Sequence, residues 1–343
     1  MVASRLITSG LLCVSAVCVA ASAPSARTAP VAAFNADSGI AFASHRDGNW
    51  EIYVMDAAGQ SRRLTSRDAQ DRFPVWSPDG AQIAFGSQVG SGWELWIMES
   101  NGSRQRRLYS GIVAKSTRPW CGDNKRIAFA ARSDGDTDIY TVDVESSRVT
   151  RLTSSPGEER EPSWSPDCQH LAFESARDGN SEIYVMGADG RGVRRLTDHS
   201  ASDTSPAWAP DGSAIAFVSA RDNAVDLYVI LPDGRRLERL TVGAGATKDA
   251  PRWSPDASRI AFQIAREKNY DIGLVRLSDR MRTDLAHSAA YDGMYTWSPD
   301  GTRLAFISGR DGFDAVYSTE ADRERIRRLT DTPSLNPAWA RGR

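Results

Sequence analysis

The chain has 343 residues, with 42 Lys and Arg against 44 Asp and Glu and a formal net charge of −2. No surplus of cations exists to displace counterions from a nucleic-acid backbone or to settle on an anionic membrane, so neither is expected as a partner. Hydrophobic residues make up 41% of the chain, enough for a large core, and the length fits two ordinary domains or one large all-β domain.

In chain order, residues 1–10 carry one basic residue, Arg5, and residues 11–23 form an apolar run rich in small side chains. That is the layout of an export signal, and the run is short for a bilayer span. Ala21-Ser22-Ala23 has the small-x-small form of a cleavage site. Pro24 hinders cutting directly after it, so processing slightly earlier, or later near Ala26, fits as well. The alternative is an uncleaved anchor. Leu12 and Val17 precede Cys13 and Cys18 where a lipoprotein signal needs small residues. The reading is a signal peptide over 1–23, a linker over 24–37, and a folded region over 38–343 that is exported to the periplasm or secreted, with no membrane span in the mature chain.

From there on one phrase recurs. Pro-x-Trp-Ser-Pro-Asp-Gly at residues 74–80 returns in altered form around Trp120, Trp164, Trp208, Trp253, Trp297 and Trp339, at steps of 44, 44, 44, 45, 44 and 42 residues. An apolar triplet follows each turn, from Ile40-Ala41-Phe42 to Leu304-Ala305-Phe306. A third segment reads Ile52-Tyr53-Val54 in the first unit and Val316-Tyr317-Ser318 in the last. A fourth is an Arg-Leu-Thr phrase, as at Arg63-Leu64-Thr65 and Arg195-Leu196-Thr197. Four short β-branched and aromatic segments per unit, separated by Asp-Gly and Pro-Asp turns, predict a propeller blade of four antiparallel strands. The first unit lacks a Trp phrase, and Trp339 has no strands behind it. Joining these fragments predicts an all-β, seven-bladed β-propeller closed by the C-terminal strand; six blades with a leftover unit is the alternative.

Trp-Ser-Pro-Asp-Gly, Ile-Ala-Phe, Arg-Asp-Gly, Glu-Ile-Tyr-Val-Met and Arg-Arg-Leu-Thr together resemble the repeat of TolB-type, WD-like propellers over residues 38–343. A similar repeat occurs in the propellers of prolyl-oligopeptidase-like peptidases and of oligogalacturonate-lyase-like proteins. The chain has no sequence for the α/β domain that precedes the TolB propeller. It also has no Gly-x-Ser-x-Gly elbow and no room for a hydrolase domain. The resemblance implies an architecture and a cell-envelope protein as partner. Carbohydrate binding or carbohydrate chemistry is the alternative.

No catalytic constellation is legible, and no cofactor or resident metal is expected. His45, His170, His199 and His287 fall in different units without metal-ligand spacing. They read as solvated residues, unless loops bring them together. Glu51, Glu94, Asp138, Glu182, Asp226 and Asp271 recur before the third segment. This predicts a structural role, pairing with the neighbouring Arg of the turn. Cys121 and Cys168 lie in equivalent turns of successive units, and a disulfide or two free thiols both fit.

Binding is expected on the face opposite the Ser-Pro-Asp-Gly turns, where the variable connections between blades lie. Five residues before each Trp stand Asp71, Lys115, Glu159, Asp203, Lys248, Asp292 and Ser334. They are read either as a charged ring at the channel mouth or as solvated loop positions. Trp50, Trp93, Tyr270 and Phe313, with Tyr291 and His287 nearby, belong to units one, two, six and seven, a contiguous arc once the ring closes. They are candidate anchors for a partner, or rings packed inward at strand ends.

Overall fold

The computed structural model describes residues 39–111, 119–133, 135–243, 251–265, 269–323 and 325–340. The leader, its cleavage site, the linker, Lys115 and Lys248 lie outside the described residues. Seven antiparallel sheets follow one another along the chain. Blade 2 is typical: Asp71–Trp76, Gln82–Val89, Gly92–Glu99 and Arg106–Tyr109 run from the innermost strand to the outermost. In blade 3 the described part of the innermost strand is a bridge between Trp120 and Ile127. Blade 1 is built from both ends of the chain. Ser334–Trp339 pairs with Ile40–Ser44, which continues through Glu51–Met55 to Ser61–Arg63. The seven-bladed ring therefore closes through the C-terminal strand. One short 3-10 turn, Arg221–Asn223, interrupts a loop of blade 5.

The repeat phrases account for the packing. Phe42, Phe85, Phe129, Phe173, Phe217, Phe262 and Phe306, one per blade, are fully buried between neighbouring sheets. The repeat Trp side chains join the blades. Trp76 Nε1 donates to the Ala338 carbonyl at 3.1 Å, Trp120 to Val75 at 3.2 Å, Trp164 to Pro119 at 3.2 Å, Trp253 to Ala207 at 2.9 Å and Trp297 to Arg252 at 2.9 Å. Each bond crosses to the preceding blade and is worth about 1 kcal/mol net, on top of the area the ring buries. Trp208 Nε1 is buried without such a partner.

The Arg-Leu-Thr phrase holds the outermost strand, which is only two or three residues long in most blades. In blade 4, Thr197 Oγ1 accepts from the Ile183 amide at 2.9 Å and donates to Glu182 at 2.6 Å, while Arg195 pairs with Glu182 at 3.0 Å. Blades 1, 3 and 5 repeat this with Glu51, Asp138 and Asp226. These acids do have a structural task, but the expected partner needs correcting. They pair with the arginine of the fourth strand, while the turn arginines of blades 4 and 5 reach the acid of the innermost strand. In blade 6 the arginine is replaced by His287, whose Nδ1 lies 2.9 Å from Asp271.

Candidate binding site at the loop face

In blades 1, 2, 4, 5 and 7 the innermost strand begins on the residue expected to form the charged ring. Asp71, Glu159, Asp203, Asp292 and Ser334 do occupy equivalent positions, as the first residue of the innermost strand. Neither expectation for their surroundings holds. All five are fully buried, turned neither to an open mouth nor to solvent. The cause is a guanidinium that follows them inward. Arg177 reaches Glu159 at 3.0 Å, Arg221 reaches Asp203 at 2.6 Å and Arg310 reaches Asp292 at 3.1 Å. These are the turn arginines of blades 4, 5 and 7, and each stacks on the Phe and Tyr of its own blade. Blade 2 has Val89 in that region, and Arg67 from the preceding connection takes over the task. It sits 2.8 Å from Asp71 and 3.8 Å from the centre of the Trp96 ring. One carboxylate oxygen each of Asp71, Glu159 and Asp203 is buried without a hydrogen bond. Burial pushes these three carboxyls above their ordinary range, against the pull of the arginines.

Two residues further along, the strand bulges. Phe73, Glu161, Ser205, Met294 and Asn336 all have φ between 49° and 57°, the left-handed region, and the register shifts there in blades 1, 2, 4, 5 and 7. Asn336 Nδ2 lies 3.3 Å from Met294 Sδ, so bulge residues of neighbouring blades touch around the axis. These residues were not singled out from the sequence, although a signal was available. In a regular strand, residues five apart face opposite ways. Burying both the acid and the Trp inside one blade requires an extra residue between them, which is a bulge.

The aromatic candidates occupy the same face and split into two groups. Trp50 and Trp93 are half-buried, and Trp50 packs on the core between blades 1 and 2. His45 meets the Trp50 ring edge-on at 5.4 Å, and Phe73 meets Trp93 edge-on at 5.0 Å. Gly86 makes that second contact feasible, because a Cβ there would lie 3.2 Å from Trp93 and 3.3 Å from Phe73. The Arg72 guanidinium lies 4.4 Å from the centre of the Trp50 ring and 5.9 Å from that of Trp93. In blade 6, Tyr270 and Tyr291 pair edge-on at 5.8 Å, with Tyr270 43% exposed. Phe313 in blade 7 is half-buried under Arg328, at 4.8 Å. The arc of blades 6, 7, 1 and 2 is thus aromatic and only partly buried. The equivalent positions on blades 3, 4 and 5 are Thr137, Ser181 and Val225.

The remaining polar candidates are dispersed. His199 Nδ1 accepts from the Ala201 amide, His287 is held by Asp271, His45 abuts Trp50, and His170 stacks at 6.3 Å on Trp208. Among the described residues, the one group of three His, Cys, Asp or Glu side chains close enough to share a cation is Cys121, Asp123 and Cys168. The structure records Cys121 and Cys168 as a disulfide with Cα atoms 5.7 Å apart, and Asp123 is bound by Arg126 at 3.0 Å. A thiolate pair is therefore not on offer there.

With the repeat and its geometry established, comparison with known proteins places the chain. The model of the TolB beta propeller domain family matches residues 120–249 and 244–341. The chain belongs to that family. No curated protein matches it. Among solved structures, TolB from Acinetobacter baumannii is 18% identical with a TM-score of 0.59, the likeness covering 90% of this chain and 67% of that one. An oligogalacturonate lyase in complex with manganese is also 18% identical, with a TM-score of 0.69 over 83% of this chain and 86% of the other. A Mycobacterium tuberculosis puromycin-hydrolyzing peptidase, 15% identical with a TM-score of 0.60, is matched over 88% of this chain and 55% of its own length. At these identities the likeness establishes the fold. TolB propellers, a lyase and a peptidase share it, so the fold alone does not select an activity. Among the described residues no helix is long and apolar enough to cross a membrane.

Proposed function

We propose that this member of the TolB propeller family is an exported, non-catalytic binding module. It docks a protein partner of the cell envelope on the face that carries the connections between blades. The observation that carries the reading is the one-sided arc of part-buried aromatics, Trp50, Trp93, Phe73, Tyr270 and Tyr291, on an otherwise regular and rigid ring. Aromatic side chains that are half covered in the free protein lose little rotamer entropy on binding and still offer apolar area, as interface anchors do. The Ser-Pro-Asp-Gly face presents instead a nearly uniform set of turns, with serine-to-aspartate hydrogen bonds at Ser77, Ser165, Ser254 and Ser298.

The test is cross-linking of the purified chain in native envelope extract, followed by the same experiment with Trp50→Ala and Trp93→Ala combined. A discrete partner lost in the double variant is expected. A cross-linking pattern unchanged by the double variant counts against the docking reading. A carbohydrate-active role is the second reading, favoured by the fold shared with the lyase. Its test is the appearance of unsaturated uronides from polygalacturonate, with and without added manganese. The histidines are dispersed over blades 1, 4 and 6 and, among the described residues, none groups with two further ligand residues, so no turnover is expected.

A further inference from the structure

Arginines at the loop face follow a rule that two of them break. Arg67, Arg177, Arg221 and Arg310 each stack on an aromatic ring and each end on a buried carboxylate of an innermost strand. Arg72 is stacked as well, against Trp50 and Trp93, but no carboxylate among the described residues pairs with it. Its Nη2 donates to the Gln70 side chain at 2.8 Å, and its Nε is buried without a partner. The neighbouring acids are committed. Asp71 is taken by Arg67, Glu51 by Arg63 and Thr65, and Asp47 by Arg63 and Tyr53. Part-burying a guanidinium without a counter-charge is costly. Burial accordingly lowers the pKa of Arg72, although a guanidinium keeps its proton in any protein.

Blade 1 adds a second cation of this kind. Ser334 stands where blades 2, 4, 5 and 7 carry an acid, so Arg46 has lost the partner that its counterparts keep. It lies 4.4 Å from the centre of the Tyr53 ring and bonds only the Ser44 hydroxyl, at 3.2 Å. Arg46 and Trp50 belong to the same loop, and Trp50 touches Arg72. The aromatic arc therefore carries two guanidiniums without carboxylates, one of them over the Trp50 ring and near Trp93.

Resting on the docking reading above, we propose that Arg72, held against Trp50 and Trp93, is a carboxylate receptor and that the partner segment it takes is an acidic peptide. A guanidinium resting on a ring is restrained by it and offers a carboxylate the donors that no other carboxylate has taken, here above all Nη1, since Nη2 serves Gln70 and Nε is buried. The stacking also argues for a peptide over a sugar. A sugar ring would need an open indole face to lie on, and the Arg72 guanidinium occupies the space over Trp50.

The experiment selects a random-peptide phage library against the full exported chain and measures Kd for the resynthesised peptides. Enrichment of Asp and Glu is expected. Affinity should fall about tenfold or more in Arg72→Gln, fall less in Arg72→Lys, and weaken as salt is raised. Arg160→Gln, which removes a charge paired with Glu158, should bind as the wild type does. Because Arg72 has no carboxylate partner in the free chain, Arg72→Gln loses only the ring contacts and the Gln70 bond and should still melt cooperatively close to the parent, which separates lost binding from lost folding. Selected peptides without acids, or unchanged binding by Arg72→Gln, overturn the proposal. If such neutral peptides still need Trp50 and Trp93, docking stands and only the carboxylate receptor falls. If no peptide binds, both fall. Binding of trigalacturonate that depends on Arg72, with no binding of acidic peptides, would overturn the peptide as occupant.

Discussion

The aspartate of the Arg-Asp loop shows how one side chain is set by its neighbours. Asp47, Asp178 and Asp311 each accept the hydroxyl proton of the third-strand tyrosine of their own blade, and Asp222 does so more loosely at 3.3 Å. Burial first, and the aspartate second, push Tyr53, Tyr184 and Tyr317 up to about 12. A folded-state value above the ordinary value of 10.0 means that stability is fully present below pH 10 and is lost as pH rises through about 12. An ultraviolet difference titration should therefore show three tyrosines ionising late. Asp311→Asn should bring Tyr317 forward, because the charge that opposes phenolate is gone, while burial keeps it above an exposed tyrosine. Ionisation of all the tyrosines near 10 would contradict this arrangement.

At the scale of the strand and its turn, the repeat tolerates one exception and uses another. The last residue of the Ser-Pro-Asp-Gly turn needs positive φ, as at Gly80 with 69° and Gly301 with 68°. In blade 6 that place belongs to Ala257, at 56°, where a Cβ is strained by roughly 1 kcal/mol. Ala257→Gly is expected to stabilise the chain by about that amount, less the added freedom of the unfolded chain, as read from the shift of the urea midpoint. In blade 4 the place belongs to Cys168, at 60°, where the same strain accompanies the link to Cys121 in the turn of blade 3. The bulges on the innermost strands are the wider case of strained backbone at a regular position. Five non-glycine residues hold positive φ around the axis, and such strain persists only where the surrounding structure overdetermines it.

For the whole molecule, closure is the decisive event. Ser334–Trp339 supplies the innermost strand of blade 1, and Ala338 accepts the Trp76 bond that joins blade 1 to blade 2. Removing residues 332–343 would leave Ile40–Ser44 as an open, fully buried-type edge, an invitation to pair with other chains. The expected outcome is loss of more than about 5 kcal/mol, the scale of a whole domain's stability, with soluble aggregates in size-exclusion chromatography and no cooperative melt. A truncated chain that stays monomeric and melts sharply would show that six blades suffice.

Much of this architecture was legible because it is repetitive. A phrase returning every 44 or so residues reports local strand and turn preferences several times over, and the split first unit implies the blade count. The arginine-to-acid pairings were not legible, since most join positions 12 to 18 residues apart and their partners can be exchanged. Arg67 replaces the turn arginine in blade 2, and His287 replaces the outer arginine in blade 6. The ring positions Asp71, Glu159, Asp203 and Asp292 were found from the sequence, but their burial was not. Spacing places a residue on a strand, whereas burial depends on which cation folds over it. By itself the sequence determined the strands, their grouping and their closure, which follow from period and alternation. Only the tertiary structure decided that the charged ring is buried and that Arg72 lies against two indoles with no carboxylate partner, because charge pairing depends on which side chain folds over which within a blade, and no repeat records that.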